Sequence, residues 1–234
     1  IYRNPETVYD YTIKGNTIAV VTDGSRVLGL GNIGPEASIP VMEGKCALFV
    51  EYGAIDAFPL PLKARTNEEF VAAVKAIEPI FGGINLEDIQ IPHCFEIEEI
   101  LIKELDIPVF HDDQHGTAIV TAAGLINAIK VTNRKIGELK IVINGAGAAG
   151  ISIAKLILQM GFGEIILCGS KGTIYEDAPY NNPAQQEMAK HTNKNKLIGT
   201  LADAMKGADV FVGVSKPDLV SAEMLSSMAK DPIV

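Results

Sequence analysis

Short apolar runs separated by turn residues dominate the first half of the chain, a spacing typical of buried strands. Residues 18–24 and 107–110 are two such runs, and the proline-punctuated residues 55–62 resemble a third. Helical spacing begins at Asn67, a good helix N-cap followed by acidic residues, and returns over residues 94–105. This mixture of spacings predicts an α/β domain.

In the second half, strand and helix patterns alternate regularly, which predicts a doubly wound, Rossmann-like parallel sheet. Polar residues 132–138 are a candidate surface boundary before it. We therefore predict two α/β domains, an N-terminal one over residues 1–132 and a C-terminal one over residues 133–234. The C-terminal elements are a strand to residue 143, a helix over about 148–160, a strand over 164–168, a polar excursion over 171–196, a strand over 208–213 and a helix over 221–229.

Carboxylates stand in adjacent pairs at two places in the first half of the chain. Glu87 and Asp88 follow a glycine turn and an apolar residue, and Asp112 and Asp113 follow the apolar run 107–110. Clusters of oxygen ligands suit Mg²⁺ or Mn²⁺ rather than zinc. We expect three or four of these carboxylates to converge on one such ion.

A glycine-rich turn lies between the first strand and the first helix of the C-terminal domain. In a GxGxxG turn the bare backbone lets a pyrophosphate approach a helix N-terminus, so the pattern indicates dinucleotide binding. The alternative is a tight turn that only packs two elements together. The predicted cofactor-binding residues of this turn are Gly145, Ala146, Gly147, Ala148, Ala149 and Gly150.

A second GxGxxG match covers residues 29–34. Pro35 follows it at once, and we expect only a short helix before Pro40. We interpret this segment as backbone that shapes a substrate cleft.

The choice between NAD and NADP stays open. Where an acidic residue normally binds the ribose 2′-hydroxyl, this chain has Cys168 and Gly169 followed by Ser170 and Lys171. The serine and lysine are candidates for binding a 2′-phosphate. They are equally good candidates for solvent-facing turn residues.

Two basic residues are candidates for substrate chemistry. Lys45 has apolar neighbours that would desolvate its ammonium group and lower its pKa toward the range of a general base. Arg26, just after a glycine turn, could bind a substrate carboxylate in bidentate fashion. For both side chains the alternative is a solvated surface position.

Charge and composition limit the partners. The net charge of −9, with no run of basic residues, argues against nucleic acid. No apolar run approaches the roughly 20 residues that span a bilayer, and no leader opens the chain, so we expect no membrane partner. Three cysteines without CxxC spacing indicate reduced, buried thiols and a cytoplasmic location. The start at Ile1 suggests a piece of a longer polypeptide.

Seven segments together resemble the malic enzymes, in their short bacterial form. The resemblance extends over nearly the whole chain, so chance similarity in one motif does not explain it. The segments are residues 22–24, 27–34, 40–45, 82–89, 110–117, 145–150 and 208–215.

The resemblance implies a set of roles. Glu87, Asp88 and Asp113 would bind Mg²⁺ or Mn²⁺, Lys45 would be the general base, and Asp112 would support it. In the larger family members an arginine equivalent to Arg26 binds the substrate, and Val214 and Ser215 would contact the cofactor. The family's proton-donating tyrosine would lie before Ile1, and its asparagines for substrate and nicotinamide after Val234.

The implied activity is oxidative decarboxylation of L-malate to pyruvate and CO₂, with reduction of NAD or NADP. A malolactic-type enzyme, which converts malate to lactate with tightly held NAD, shares most of these motifs. From another class, a non-catalytic dinucleotide-binding module is the alternative, and a different Rossmann enzyme is a distant third. The family also implies a homo-oligomer, a dimer or higher.

Overall fold

The computed structural model describes all 234 residues and divides into two compact units, Ile1–Asp113 and Gln114–Val234. The domain boundary predicted after residue 132 lies at the far end of helix Thr117–Thr132. This helix packs against helix Ala148–Gln159, which is why it belongs to the second unit in the structure.

The first unit is built on a four-stranded, fully parallel sheet in the order β2-β1-β3-β4. Its strands β1 and β3 are the most buried, because both have neighbours on either side. The predicted strands are present within a few residues, whereas helix α1 and strand β3 were not predicted. The elements are α1 (Val8–Tyr11), β1 (Thr17–Thr22), α2 (Gly34–Gly53), β2 (Asp56–Pro61), α3 (Asn67–Ile77), β3 (Gly83–Leu86), α4 (His93–Glu104) and β4 (Val109–His111).

Prolines in this unit occupy tolerated positions, with one exception. Pro59 and Pro61 lie in β2, an edge strand with free hydrogen-bonding positions on its outer side. Pro40, however, lies inside α2, so the expectation of only a short helix before it was wrong. An interior proline costs a helix about 3 kcal/mol. Burial of Met42 and Cys46 against β1 offsets this cost.

Helix α3 begins one residue away from the predicted position. The hydroxyl of Thr66 accepts the backbone N–H of Glu69 at 3.2 Å, so Thr66 and not Asn67 is the N-cap. Both residue types are good caps, and the chain geometry decides between them.

The second unit contains a four-stranded sheet in the order β7-β6-β5-β8. Strands β6, β5 and β8 are parallel, and only the two-residue edge strand β7 is antiparallel. The α/β fold class is confirmed. Helices α7 and α8 and strand β7 were not predicted. The elements are α5 (Thr117–Thr132), β5 (Lys140–Asn144), α6 (Ala148–Gln159), β6 (Glu164–Gly169), β7 (Gly172–Thr173), α7 (Pro183–Ala189), α8 (Leu201–Met205), β8 (Val210–Gly213) and α9 (Ala222–Ser226).

One short helical turn matters for the site. A π-helical turn, Asp112–Gly116, follows β4 directly and leads into α5. Such turns recur at functional sites because they redirect side chains within a helix. No helix of the chain combines the length and the apolar character needed to cross a membrane.

Candidate functional site

The candidate residues of the first unit lie where three parallel strands end. The loop after β1 carries Arg26, the residues after β3 are Glu87 and Asp88, and those after β4 are Asp112 and Asp113. Carboxyl ends of parallel strands meet at one edge of a sheet. The strand order reverses between β1 and β3, the position where ligands bind in open α/β sheets.

Lys45 joins two of these strand ends. Its Nζ lies 2.7 Å from Asp112 Oδ2 and 3.3 and 3.2 Å from the two oxygens of Glu87. Helix α2 supplies the lysine, and the helix is fixed by its packing against β1 and β2. The sequence separations of 42 and 67 residues show that tertiary folding, and not local sequence, creates this contact.

The pKa of Lys45 is raised, which corrects the expectation that its surroundings would lower it. Burial is the largest single influence and does lower the pKa. The hydrogen bond to Asp112 and the charges of Glu87 and Asp112 together exceed that effect. In this arrangement Lys45 is an ammonium group held between two carboxylates.

The two carboxyl groups after β3 hold protons unusually well. Burial raises the pKa of Glu87 to about 7, although Asn85 and Lys45 act in the opposite direction. Burial and the charge of Asp113 raise the pKa of Asp88 to about 6. Their mutual repulsion with Asp112 and Asp113 contributes in both cases, so the cluster has an excess of negative charge.

Backbone hydrogen bonds hold the acidic loops against each other. The N–H of Asp88 donates to Asp113 Oδ2 at 2.9 Å, and the N–H of Arg26 donates to the carbonyl of Asp88 at 3.0 Å. Asp88 itself has a φ of 53°, a left-handed conformation that is costly for a residue with a side chain. These two hydrogen bonds therefore join the loops that follow β1, β3 and β4.

Arg26 and the glycine-rich segment after it form the outer part of this edge. The Arg26 side chain is exposed and makes no ion pair in the structure. The backbone of Leu28 lowers the pKa of Asp88, against the larger effects of burial and of the Asp113 charge. Gly29, Gly31 and Gly34 all have φ near 78°, with values of 79°, 78° and 77°. This segment thus closes on the acidic cluster.

The chemistry of the cluster fits a hard divalent cation. Oxygen donors predominate. The raised pKa values of Glu87 and Asp88 mean that their negative charges are poorly compensated, so a bound cation would stabilise them. The side chains do not, however, form a closed ligand set, since no group of three or more His, Cys, Asp or Glu residues has the arrangement of a metal site. The ammonium group of Lys45 contacts both carboxylate oxygens of Glu87 in this structure.

Two supporting residues were missed by sequence reasoning. Asn85 is buried in β3 and donates to Glu87 Oε2 at 2.9 Å. Glu98 is buried on α4 and accepts the backbone N–H of His111 at 3.0 Å, which fixes the end of β4 just before Asp112. A polar residue inside an apolar strand could have revealed Asn85, whereas Glu98 looks like any helix-surface glutamate.

In the second unit, the turn after β5 has the geometry that the glycine pattern predicts. Gly145 has a φ of 128°, and a methyl group on it would lie 2.6 Å from the carbonyl oxygen of Val214. A methyl group on Gly150 would lie 1.8 Å from the carbonyl oxygen of Gly145. Helix α6 begins at Ala148 with no side-chain cap, so its first N–H groups are free for an anion.

A cavity of about 560 Å³ opens beside this turn, at the carboxyl ends of β5 and β6. Ser170 and Lys171 lie at the tip of the β6–β7 hairpin and line it, as does Ser215. Val214 does not line the cavity but packs beside Gly145. The cavity lining is Asn144, Gly169, Ser170, Lys171, Gly172, Thr200, Leu201, Ala202, Ser215, Lys216, Leu219 and Met224.

These features define a class: an α/β protein with a lysine–carboxylate cluster in one unit and a Rossmann-like dinucleotide-binding turn in the next. Family models agree. The malic enzyme N-terminal domain matches residues 3–69, and the malic enzyme NAD binding domain matches residues 114–233. The chain belongs to the malic enzyme family.

Individual relatives are similar over the whole chain. The bifunctional malic/malolactic enzyme of Bacillus subtilis is 55% identical over 100% of this chain and 57% of its own length. The NAD-dependent malic enzyme of Geobacillus stearothermophilus is 54% identical over 100% of this chain and 49% of its own. This chain therefore spans about half the length of these relatives.

A solved structure agrees with this similarity. The NAD-dependent malic enzyme of Thermotoga maritima superposes with a TM-score of 0.95 at 48% identity, covering 99% of this chain and 62% of the other.

Proposed function

We propose that the protein containing this chain oxidatively decarboxylates L-malate to pyruvate and CO₂ with reduction of NAD or NADP, and that it requires Mg²⁺ or Mn²⁺. The observation that supports this most is the Lys45 ammonium group between Glu87 and Asp112, at a strand edge that also carries Asp88 and Asp113. Relatives named as malic enzymes are 42% to 55% identical to the chain.

Arg26 would bind a carboxylate of malate. Its guanidinium is exposed and unpaired, and its backbone N–H is tied to Asp88 at the acidic edge. A guanidinium matches a carboxylate with two parallel hydrogen bonds, which fixes the orientation of the substrate as well as its position.

Glu87, Asp88 and Asp113 would hold the divalent cation. When bound, the cation would supply Lewis-acid polarisation of the substrate's C2 oxygen. Asn85 would keep the Glu87 carboxylate oriented through its 2.9 Å hydrogen bond. Glu98 would fix the end of β4, two residues before Asp113, by accepting the backbone N–H of His111.

Lys45 would exchange the proton of the malate C2 hydroxyl. Because its ammonium form cannot accept a proton, Lys45 would first release one to Asp112, and the neutral amine would then take the hydroxyl proton. A bound nicotinamide would supply the acceptor for the hydride of C2, so that malate is oxidised to oxaloacetate. The C3–C4 bond would then break with loss of CO₂, and the electron pair of that bond would form the enolate of pyruvate. Protonation at C3 would give pyruvate. Asp112, 2.7 Å from Nζ, would hold the amine in place through each proton transfer.

The second unit would bind the dinucleotide. The turn Gly145, Ala146 and Gly147 with the free N–H groups at the start of α6 would hold the pyrophosphate. Ser170, Lys171 and Ser215 line the adjoining cavity. We also expect a cytoplasmic location, in line with three buried free cysteines. A homo-oligomer is expected from the family resemblance alone.

The test is turnover by the natural protein that contains this chain. With malate, Mn²⁺ and NAD or NADP, the absorbance of the reduced nicotinamide should rise and pyruvate should accumulate. No reduced cofactor with either dinucleotide and either metal would overturn the proposal.

A malolactic outcome is the second candidate, because one relative is named a bifunctional malic/malolactic enzyme. Product analysis separates the two, since lactate would replace pyruvate and no free reduced cofactor would appear. A non-catalytic dinucleotide-binding module would instead bind cofactor with no dependence on malate or Mn²⁺, which calorimetry measures.

A further inference from the structure

The end of β6 lies directly against the dinucleotide-binding turn. The backbone N–H of Gly145 donates to the carbonyl of Cys168 at 2.9 Å. A methyl group built on Gly169 would lie 3.8 Å from the Cβ of Ala146. Position 169 therefore faces the turn, at the place where a Rossmann protein presents the residue that contacts the adenosine ribose.

The backbone at Gly169 does not require glycine. Its φ is not positive, and the nearest atoms to an added methyl group are at 3.6 and 3.8 Å, which are ordinary contact distances. Gly145, in contrast, has a φ of 128° and no space for a side chain. The fold therefore does not require glycine at position 169, and the backbone admits a residue with a side chain there.

The cavity beside position 169 is positively charged, in a chain whose net charge is −9. Lys171 and Lys216 line it, together with the hydroxyls of Ser170, Thr200 and Ser215, and no carboxylate does. Neither lysine forms an ion pair in the structure, whereas Lys196 and Lys206 of the same unit both do. Both ammonium groups of the cavity are free to bind an external anion.

This lining distinguishes between the two dinucleotides. NAD sites place an aspartate or glutamate at the end of the second strand to accept hydrogen bonds from the ribose hydroxyls. Such a carboxylate repels a 2′-phosphate, which carries between one and two negative charges. Two ammonium groups and a serine hydroxyl, without the carboxylate, attract it instead.

We propose that this cavity binds the 2′-phosphate of NADP, with Lys171 and Lys216 as its charged partners and Gly169 as the specificity-determining position, so that the protein prefers NADP to NAD. The proposal rests on dinucleotide binding by this unit, as in the proposed function. It does not rest on malate as the substrate.

Nucleotide fragments test it without turnover. Titration calorimetry on the natural protein should show that 2′,5′-ADP binds at least about tenfold more tightly than 5′-AMP, with an advantage that shrinks as salt is raised. Lys171→Ala and Lys216→Ala should each weaken 2′,5′-ADP several-fold and leave 5′-AMP unchanged. Lys194→Ala, an exposed lysine of the same unit outside the cavity, is the matched control.

Gly169→Asp provides the converse test, because a Cβ at this position makes only ordinary contacts and the backbone φ is not positive. It should remove the preference for 2′,5′-ADP while 5′-AMP binding persists. Equal affinities in the unmodified protein, or a preference unaffected by all three cavity variants, would overturn the proposal. A protein that shows the preference but does not turn over malate would instead contradict only the proposed function.

Discussion

At the scale of single residues, Lys45 and Asp113 belong to the same acidic cluster but have separable roles. Lys45 contacts Glu87 and Asp112, whereas Asp113 accepts the backbone N–H of Asp88. We expect Lys45→Ala to reduce kcat at least about a hundredfold, since it removes the proton-transfer group, and to leave Mn²⁺ affinity largely intact. Asp113→Ala should weaken Mn²⁺ itself. Calorimetric Mn²⁺ titration alongside steady-state kinetics measures both.

Two controls separate these roles from a general disturbance of the fold. Thermal unfolding of each variant shows whether the loss of an ion pair has destabilised the protein. Lys63→Ala is a suitable reference, because Lys63 is exposed and its nearest acidic oxygen, on Glu36, is 3.9 Å away. An equal loss of Mn²⁺ affinity in Lys45→Ala and Asp113→Ala would contradict the separate roles of Lys45 in proton transfer and Asp113 in metal binding.

At the scale of elements, helix α4 positions strand β4 through one buried carboxylate. Glu98 accepts the N–H of the fully buried His111. Glu98→Ala should leave this N–H without that acceptor, lower the free energy of unfolding by about 1–3 kcal/mol and weaken Mn²⁺ binding. Glu98→Gln keeps a carbonyl acceptor and should retain most of both. Urea unfolding and Mn²⁺ titration measure these effects, and a glutamine variant as impaired as the alanine variant would contradict the positioning role.

Two glycines of the second unit differ in what surrounds them. Gly150 packs α6 against the turn after β5, whereas Gly124 lies in α5 with no atom within 4 Å of an added methyl group. We expect Gly150→Ala to lower the free energy of unfolding by about 1–3 kcal/mol and to abolish dinucleotide binding. Gly124→Ala, the matched control, should gain about 0.5–1 kcal/mol, since alanine favours the helix. Urea unfolding and nucleotide titration check both variants.

The strands could be predicted from sequence because their apolar runs are local signals, and β1, β4, β5 and β6 lie within a few residues of the predicted positions. Helix α2 was predicted too short, because burial of its inner face outweighs Pro40. Helix α8 is stabilised by its N-cap Thr200 and by the burial of Ala204 and Met205 in the core. No local periodicity in the sequence predicts this helix. Elements that depend on tertiary packing are those that sequence reasoning missed.

The same distinction applies to the site. The convergence of the carboxylates was expected because two acidic pairs each follow apolar residues. Strand β3, which ends directly before Glu87 and Asp88, was not predicted. The direction of the Lys45 pKa could not be predicted, since it depends on partners 42 and 67 residues away. Local apolar neighbours indicate desolvation only, and the carboxylates exceed it here. The glycine at position 169 can be read from the sequence. Its proximity to the dinucleotide-binding turn can be seen only in the structure.

At the scale of the whole molecule, the acidic cluster couples stability to pH. Burial raises the pKa of Glu87 to about 7 from 4.5 and that of Asp88 to about 6 from 3.8. The folded state therefore binds these protons more tightly than the unfolded state does. Without metal, the contribution of Glu87 to stability is largest below its unfolded pKa and is lost as pH rises toward 7. The loss proceeds at up to about 1.4 kcal/mol for each step of one in pH.

A divalent cation should reverse this loss, because it binds the deprotonated carboxylates and competes with the protons. We expect Mn²⁺ to raise the Tm of the protein substantially at about pH 8 and little at about pH 5, where Glu87 and Asp88 are protonated. Glu87→Gln removes one of the charged ligands of the cation, so its Mn²⁺-induced change in Tm should be small at both values of pH. A Tm increase that is independent of pH in the unmodified protein would mean that the cation binds elsewhere. Removal of Mn²⁺ by a chelator should restore the metal-free Tm at each pH, since the cation acts by stabilising the folded state alone.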